Sequence, residues 1–184
     1  MRLFTGIDLP REIGSNLEGL VEKLRPAARL KWSGGDSFHI TTKFIGDWPE
    51  DRLQEMIGAL GGLSPREPIP IAIRGLGWYP NPHSPRIFWA AVKAPASLAV
   101  LARDTDDATG RLGVPAETRA FSPHMTLARV KEPVPLAAVR QAIAGLASDD
   151  FGEFIADRFH LYQTELHAAG SVYTKLATFT FNRT

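Results

Sequence analysis

The chain has 184 residues, of which 44% are hydrophobic and 22% charged, a composition typical of a globular protein with enough apolar side chains for a core. It has no cysteine, which excludes disulfides, thiolate zinc sites and cysteine nucleophiles and is compatible with the reducing cytoplasm, where we expect the protein to be located. The formal net charge of +1 lacks the large basic excess of proteins that grip long nucleic acids, so we expect any contact with nucleic acid to be local.

Apolar side chains recur at strand or helix spacing along the whole chain. In chain order, the pattern predicts a strand over 2–9, a helix over 10–24, strands over 29–32 and 38–46, a helix over 53–60, strands over 69–78 and 86–92, a helix over 96–110, a strand over 123–130, a helix over 135–147, and strands over 152–166 and 171–181. The first apolar run is too short for a signal sequence, and no run approaches the about 18 apolar residues of a membrane span, so we expect no membrane association. Helices alternating with paired strands, without a low-complexity linker, predict one α+β or α/β domain over residues 1–184.

A short motif occurs twice in the sequence. FHITT, which contains His39, is matched by PHMTL, which contains His124, and the two histidines are 85 residues apart, close to half of the chain. This internal repeat predicts two similar lobes, each of which contributes one strand to a shared cleft.

The spacing of both motifs brings an imidazole and a hydroxyl together, because side chains two residues apart in a strand lie on the same face. His39, Thr41 and Lys43 are therefore predicted on one face of their strand, and His124 and Thr126 on one face of theirs. Two such strands facing each other would supply a base, an acid and two hydrogen-bond donors to a phosphate. This chemistry requires no metal ion.

At these residues the sequence resembles the two-histidine (2H) phosphoesterase superfamily and, within it, the bacterial RNA 2′,3′-cyclic phosphodiesterase (LigT-like) family, historically called 2′-5′ RNA ligase. The likeness follows the order of the family's segments along nearly the whole chain. RLFTGIDLP matches the family's opening strand, and FHITTKFIG matches its first H-x-T-L-x-F-L-G motif. SPRIFWAAV matches an Arg-bearing strand, and FSPHMTLARV matches the second motif with its trailing Arg. LYQTEL and GSVYTKL match the closing hairpin.

The resemblance implies a bilobal α+β fold, in which two similar lobes, each an antiparallel sheet covered by helices, enclose a central cleft. It also implies an enzyme that hydrolyses 2′,3′-cyclic phosphates, on RNA ends or on small cyclic nucleotides, to 2′-phosphomonoesters. The family resemblance allows a reversible 2′-5′ RNA ligase activity beside hydrolysis. No cofactor, metal ion or obligate protein partner is expected.

Matching positions assign His39 as the general acid and His124 as the general base, with Thr41 and Thr126 bound to the phosphate. Arg129 matches the trailing Arg of the family's second motif and is predicted to contact the substrate phosphate. If side chains alternate strictly, Arg129 lies on the other face of the strand from His124. It then reaches the cleft only through strand twist or a bulge.

Several other side chains have two interpretations each. Phe4, Phe38 and Tyr162 are candidates for stacking a nucleobase, with a position in the core as the alternative. Arg86 matches an Arg of the family and has either a structural or a ligand-binding role. Thr42 stands where the family usually has Leu, on the predicted core face, and a buried hydroxyl there costs about 1–3 kcal/mol if it lacks a partner.

Other classes of protein require motifs of their own. A metallohydrolase needs clustered His, Asp and Glu ligands, and the sequence has no H-E-x-x-H motif. A serine hydrolase needs a G-x-S-x-G elbow, which is also missing. A non-catalytic module that binds RNA ends or nucleotides needs the same cleft and remains the alternative to an enzyme.

Overall fold

A computed structural model describes residues 1–182, which form nine strands and four α-helices. The strands are β1 (Arg2–Asp8), β2 (Lys31–Trp32), β3 (His39–Asp47), β4 (Ile69–Tyr79), β5 (Ile87–Lys93), β6 (His124–Arg129), β7 (Asp150–Ala156), β8 (Arg158–His167) and β9 (Gly170–Thr180). The helices are α1 (Arg11–Leu24), α2 (Leu53–Gly61), α3 (Ala96–Gly110) and α4 (Ala137–Ala144). None of the helices in this part of the chain is long and apolar enough to cross a membrane.

The strands form two antiparallel sheets, each with helices on one face. The four-stranded sheet has the order β3-β1-β8-β9, and the five-stranded sheet has the order β2-β6-β5-β4-β7. Helices α2 and α3 pack on the four-stranded sheet through β9 and β3, and α1, with α4 beside it, packs on β7 of the five-stranded sheet. We call the covered side of each sheet its helix face and the other side its cleft face. The predicted α+β class with two helix-covered lobes is confirmed.

The strand predicted over 152–166 is wrong, because this segment forms two strands that belong to different sheets. The chain passes from β7 to β8 at Asp157, whose backbone oxygen accepts a hydrogen bond from the backbone N–H of Phe181. The carboxylate of Asp157 also forms an exposed ion pair with Arg158 at 2.7 Å. A pattern of apolar residues gives the face of a strand and not its partner, so it does not reveal such a change of sheet.

A β-bulge interrupts β3 directly after its H-x-T motif. Thr41 lies opposite Gly6 of β1 and Lys43 lies opposite Thr5, so Thr42 has no residue opposite it. An extra residue of this kind reverses the alternation of side chains beyond it. Lys43 and Phe44 are therefore on the other face from the one that simple counting predicts, and a second register shift, at Ile45, follows them.

The same interruption occurs in β6. Thr126 lies opposite Trp89 of β5, whereas Ala128 lies opposite Phe88, which leaves Leu127 as the extra residue. Both Leu127 and Ala128 are fully buried, although they are adjacent in sequence. The extra residue thus stands three positions after the motif histidine in both lobes.

Candidate active site

The two H-x-T motifs occupy equivalent places in the two lobes. His39 is the first residue of β3 and His124 is the first residue of β6, and these two strands contact each other across the lobes. The side chains of both histidines, and of Thr41 and Thr126, are half-buried, between core residues on either side. The fold therefore brings the two strands that carry the motifs, which are distant in sequence, into contact.

The bulges decide which later residues share this cleft. Lys43, predicted beside His39, turns instead to the helix face, where its Nζ lies 2.6 Å from a carboxylate oxygen of Asp106 and donates to the backbone oxygen of Pro115 at 2.9 Å. Phe44, predicted on the core face, is 67% exposed. Arg129 likewise returns to the face of His124, because the bulge intervenes between them, and its side chain is exposed.

A backbone carbonyl fixes the orientation of the His124 ring. Its Nδ1 lies 2.8 Å from the backbone oxygen of Ser122, and because a carbonyl only accepts, Nδ1 carries the proton in this hydrogen bond. In the neutral ring Nε2 is then the unprotonated nitrogen and can accept a proton. The ring of Tyr79 packs edge-on against the imidazole at 5.3 Å, and its hydroxyl hydrogen-bonds to the Ser122 hydroxyl at 2.7 Å.

The His39 ring lies among aromatic side chains on the four-stranded sheet. Phe4 packs at 4.6 Å between ring centroids, and Tyr173 packs edge-on at 5.0 Å. This burial lowers the pKa of His39 to about 4, although a hydrogen bond to the backbone of Ser37 favours the charged ring and partly offsets the effect. The imidazole is therefore neutral at pH 7 in the protein alone.

The hydroxyls of Thr41 and Thr126 have no hydrogen-bond partner among residues 1–182. Both lie beside their histidine on the cleft face, where they can donate to a ligand. Thr42 differs, because its hydroxyl lies 2.7 Å from the hydroxyl of Thr5 inside the protein. The partner that a buried Thr42 was expected to need is thus supplied by β1.

Three aromatic residues considered for base stacking are buried. Phe4, Phe38 and Tyr162 are only 2%, 6% and 5% exposed, so no face of these rings is open to a base. Phe4 stacks on Tyr162 at 4.9 Å and supports the His39 ring from below. Phe4 and Tyr162 therefore lie beneath the His39 ring, whereas Phe38 belongs to the hydrophobic core, and the exposed aromatic side chain next to Phe4 is Phe44.

Sequence reasoning missed the residues that orient the two imidazoles. Ser37 and Ser122 each stand two positions before a histidine, and each hydrogen-bonds through its backbone to that ring. The signal was present, because the repeat is S-x-H-x-T in both halves. The contacts of Tyr79 and Tyr173 depend on strand pairing and leave no comparable pattern in the sequence.

A further histidine, which is buried, lies on the cleft face of the four-stranded sheet. His160 is 3% exposed, and its ring nitrogens lie 2.9 Å from the hydroxyl of Thr178 and 3.0 Å from the carboxylate of Asp8. Asp8 also accepts from Lys175 at 2.6 Å. The hydrogen bond with His160, with a smaller contribution from Lys175, holds the pKa of Asp8 well below its usual range. Both nitrogens of His160 are occupied, which fits a structural role.

Residues 1–182 contain no group of three or more His, Asp or Glu side chains placed to hold a metal ion. Two surface depressions of about 340 Å³ and about 310 Å³ lie away from both H-x-T motifs. The first lies between β4 and the segment that follows α4, and the second between the end of α1 and Trp32. Side-chain chemistry, and not the depth of a pocket, therefore marks the candidate site.

Known proteins resemble this chain over nearly its whole length. Curated relatives named RNA 2′,3′-cyclic phosphodiesterase include one from Archaeoglobus fulgidus, 30% identical over 97% of this chain and 99% of its own length. Another, from Thermus thermophilus, is 33% identical over 97% of this chain and 89% of its own length. A crystal structure of a Thermus thermophilus protein superposes with a TM-score of 0.82 at 30% identity, covering 98% of each chain.

A family model described as LigT-like phosphoesterase matches the chain twice, over residues 7–89 and 91–173. Each match contains one H-x-T motif, which agrees with the internal repeat in the sequence. Together the matches cover most of the chain and include both motif histidines. The chain therefore belongs to the LigT-like phosphoesterase family.

Proposed function

We propose that this protein is an RNA 2′,3′-cyclic phosphodiesterase, which hydrolyses cyclic phosphate ends to 2′-phosphomonoesters. The observation that carries the proposal is the pair of S-x-H-x-T segments, each with an oriented imidazole beside an unpartnered threonine hydroxyl. Relatives with this activity in their names match nearly the full chain. A cytoplasmic location, where RNA ends are available, belongs to the same proposal.

Proton transfer is assigned from the orientation of the two rings. His124 accepts a proton at Nε2 from a water molecule, whose oxygen forms the new bond to phosphorus. The bond from phosphorus to the 3′ oxygen breaks, and His39 donates a proton to that oxygen, which leaves a 3′-hydroxyl and a 2′-phosphate. In-line attack requires the base and the acid on opposite sides of the phosphorus, which two strands from two lobes can provide.

The remaining residues hold the substrate. Thr41 and Thr126 donate hydrogen bonds to the non-bridging oxygens of the phosphate, where negative charge grows in the transition state. Arg129 adds an anion contact from the cleft face. Phe44 offers an open aromatic ring to the terminal base, as aromatic side chains do for single-stranded RNA.

The test is turnover of adenosine 2′,3′-cyclic phosphate in excess EDTA, with the product identified by phosphorus NMR. We expect hydrolysis to the 2′-monophosphate, at a rate that neither EDTA nor added Mg²⁺, Mn²⁺ or Zn²⁺ changes. Binding without turnover would favour a non-catalytic module, and loss of activity on chelation would favour a metallohydrolase. Formation of 2′-5′ linkages would be the same displacement at the same site, with an RNA 5′-hydroxyl in place of water as the nucleophile and the 3′ oxygen as the leaving group.

A further inference from the structure

Two cations lie side by side on the cleft face of the five-stranded sheet. Lys31 of β2 lies directly opposite Arg129 of β6, and both side chains are exposed. Neither forms an ion pair or a side-chain hydrogen bond with any of residues 1–182. Like charges directly opposite each other in a sheet are destabilising, so this pair costs stability that a bound anion would restore.

The face on which Lys31 lies follows from its neighbour. Trp32 turns to the helix face, where its ring packs edge-on against buried Phe88 and its Nε1 donates to the backbone oxygen of Ala28 at 3.1 Å. Because successive side chains of a strand alternate, Lys31 points to the cleft face. The bulge at Leu127 brings Arg129 to the same face.

The position of Lys31 is also fixed along the strand. Beyond Trp32, the backbone N–H of Ser33 donates to the oxygen of Leu127 at 2.8 Å, and its hydroxyl donates to the oxygen of Thr126 at 3.0 Å. These hydrogen bonds continue the pairing of the two strands up to the motif threonine. The cationic pair is therefore held in register with the phosphate contact and does not depend on a mobile loop.

We propose that Lys31 and Arg129 bind the phosphodiester on the 5′ side of the terminal nucleotide of an RNA substrate. Two to three residues at about 3.3 Å each place the pair about 7–10 Å beyond Thr126, along a strand that runs away from His124. One nucleotide spans such a distance, so a second phosphate reaches the pair while the cyclic phosphate lies between the two motifs. The inference rests on the proposed function and specifies its substrate as RNA with at least one internal phosphodiester, in preference to a cyclic mononucleotide.

The experiment compares three substrates, each with a 2′,3′-cyclic phosphate end. They are a mononucleotide, a trinucleotide RNA, and the same trinucleotide with a neutral methylphosphonate in place of the phosphodiester next to the terminal nucleotide. We expect Lys31→Gln to lower kcat/KM about tenfold for the RNA, since a charge-assisted contact is lost. The other two substrates should be hydrolysed as by the wild type.

Salt gives an independent readout. For a single strand, each phosphate contact adds about 0.7 to the slope of log affinity against log salt, so the RNA should be more salt-sensitive than the mononucleotide by about this amount. Lys31→Gln should reduce this difference, whereas Arg103→Gln, which removes an exposed charge from α3 behind the other sheet, should not.

Two results would overturn the inference: equal losses on all three substrates, or no loss on the RNA. Failure of the wild type to hydrolyse any of the three would instead overturn the proposed function. The salt dependence of RNA binding, measured by fluorescence anisotropy, would in that case still decide whether Lys31 contacts the internal phosphate.

Discussion

Thr41 and Thr42 are adjacent in β3, yet their hydroxyls have opposite surroundings. The Thr41 hydroxyl has no partner in the described part of the chain, whereas the Thr42 hydroxyl is bonded to Thr5 inside the protein. Ordinary alternation thus separates a group available for a ligand from a group that contributes to folding, and Thr42 is itself the bulge residue. The two threonines therefore allow activity and stability to be changed separately.

We expect Thr41→Val to lower kcat about 10- to 10³-fold, because it removes a donor to a developing charge, and to leave the free energy of unfolding nearly unchanged. Thr42→Val leaves the Thr5 hydroxyl buried without a partner, which should cost about 1–3 kcal/mol of stability with little loss of activity. Thr41→Ser keeps the hydroxyl and should retain most of the rate. Urea denaturation and steady-state kinetics measure both effects, and equal rate losses for Thr41→Ser and Thr41→Val would show that the hydroxyl is not the operative group.

Replacing either motif histidine with alanine should lower kcat about 10²- to 10⁴-fold, the usual contribution of one general acid or base. The exposed His83 in the turn before β5 provides the matched control, and His83→Ala should have no effect. A substrate whose 3′ leaving group needs no proton separates the two roles. On this substrate, His39→Ala should lose much less of the wild-type rate than His124→Ala. The reverse order would show that His39 is the base and His124 the acid.

The acid role requires His39 to gain a proton when substrate binds. Its ring is neutral in the free protein, since burial lowers its pKa to about 4, and a bound phosphate anion favours the charged form. NMR titration of the ring in the inactive His124→Ala variant should show this pKa rising on addition of a 2′,3′-cyclic nucleotide. Binding then takes up a proton, so affinity should increase as the pH falls from neutrality towards about 5. An unchanged pKa would argue against His39 as the acid.

At the scale of elements, each strand that bears a motif is interrupted by a bulge directly after the motif. The sequence predicted both strands and the faces of their first three residues, from His39 to Thr41 and from His124 to Thr126. It assigned Lys43 and Phe44 to the wrong faces, because a bulge depends on the partner strand and leaves alternation in the sequence intact. Alternation alone predicts Arg129 on the face opposite to that of His124, and the bulge at Leu127 places it on the cleft face instead.

The displaced Lys43 anchors α3 to β3. Its side chain is 5% exposed and bonds to Asp106 of the helix and to the backbone of Pro115. Lys43→Met should therefore cost about 2–4 kcal/mol of unfolding free energy, since Asp106 loses its cationic partner and keeps only the backbone N–H of Glu117. Activity below the unfolding transition should stay near the wild-type value. Replacement of the exposed Lys23 of α1 by Met serves as the control. A Lys43→Met variant that is stable but inactive would indicate that Lys43 acts in the cleft.

At the scale of the whole molecule, the predicted class, the helix-covered sheets and the internal repeat all agree with the structure. These features depend on apolar periodicity and on repeated residues, which a sequence displays directly. The assignment of 152–166 to a single strand failed because the choice of sheet is settled by contacts with distant segments, such as the bond between Asp157 and Phe181.

We propose that the two lobes unfold as one unit. Buried residues of both sheets belong to a single contiguous core, which includes Leu3 and Leu161 of the four-stranded sheet and Ile71 and Phe88 of the five-stranded sheet. Circular dichroism and tryptophan fluorescence should then report the same urea midpoint. Lys43→Met, which acts on the four-stranded lobe, should then shift one midpoint that both probes share. Two separate transitions would show that the lobes are independent.

The change of sheet at Asp157 has a consequence for the ancestry of the fold. The four-stranded sheet takes β1 and β3 from the first half of the chain and β8 and β9 from the second, and the five-stranded sheet also combines strands of both halves. The halves have thus exchanged strands, as two subunits do in a domain-swapped dimer. Neither half contains a complete lobe, so a fragment cut between the repeats would expose strand edges that the other half covers in the intact protein. Only co-expression of both fragments would rebuild either histidine's surroundings, because each motif is supported by strands that the other half encodes.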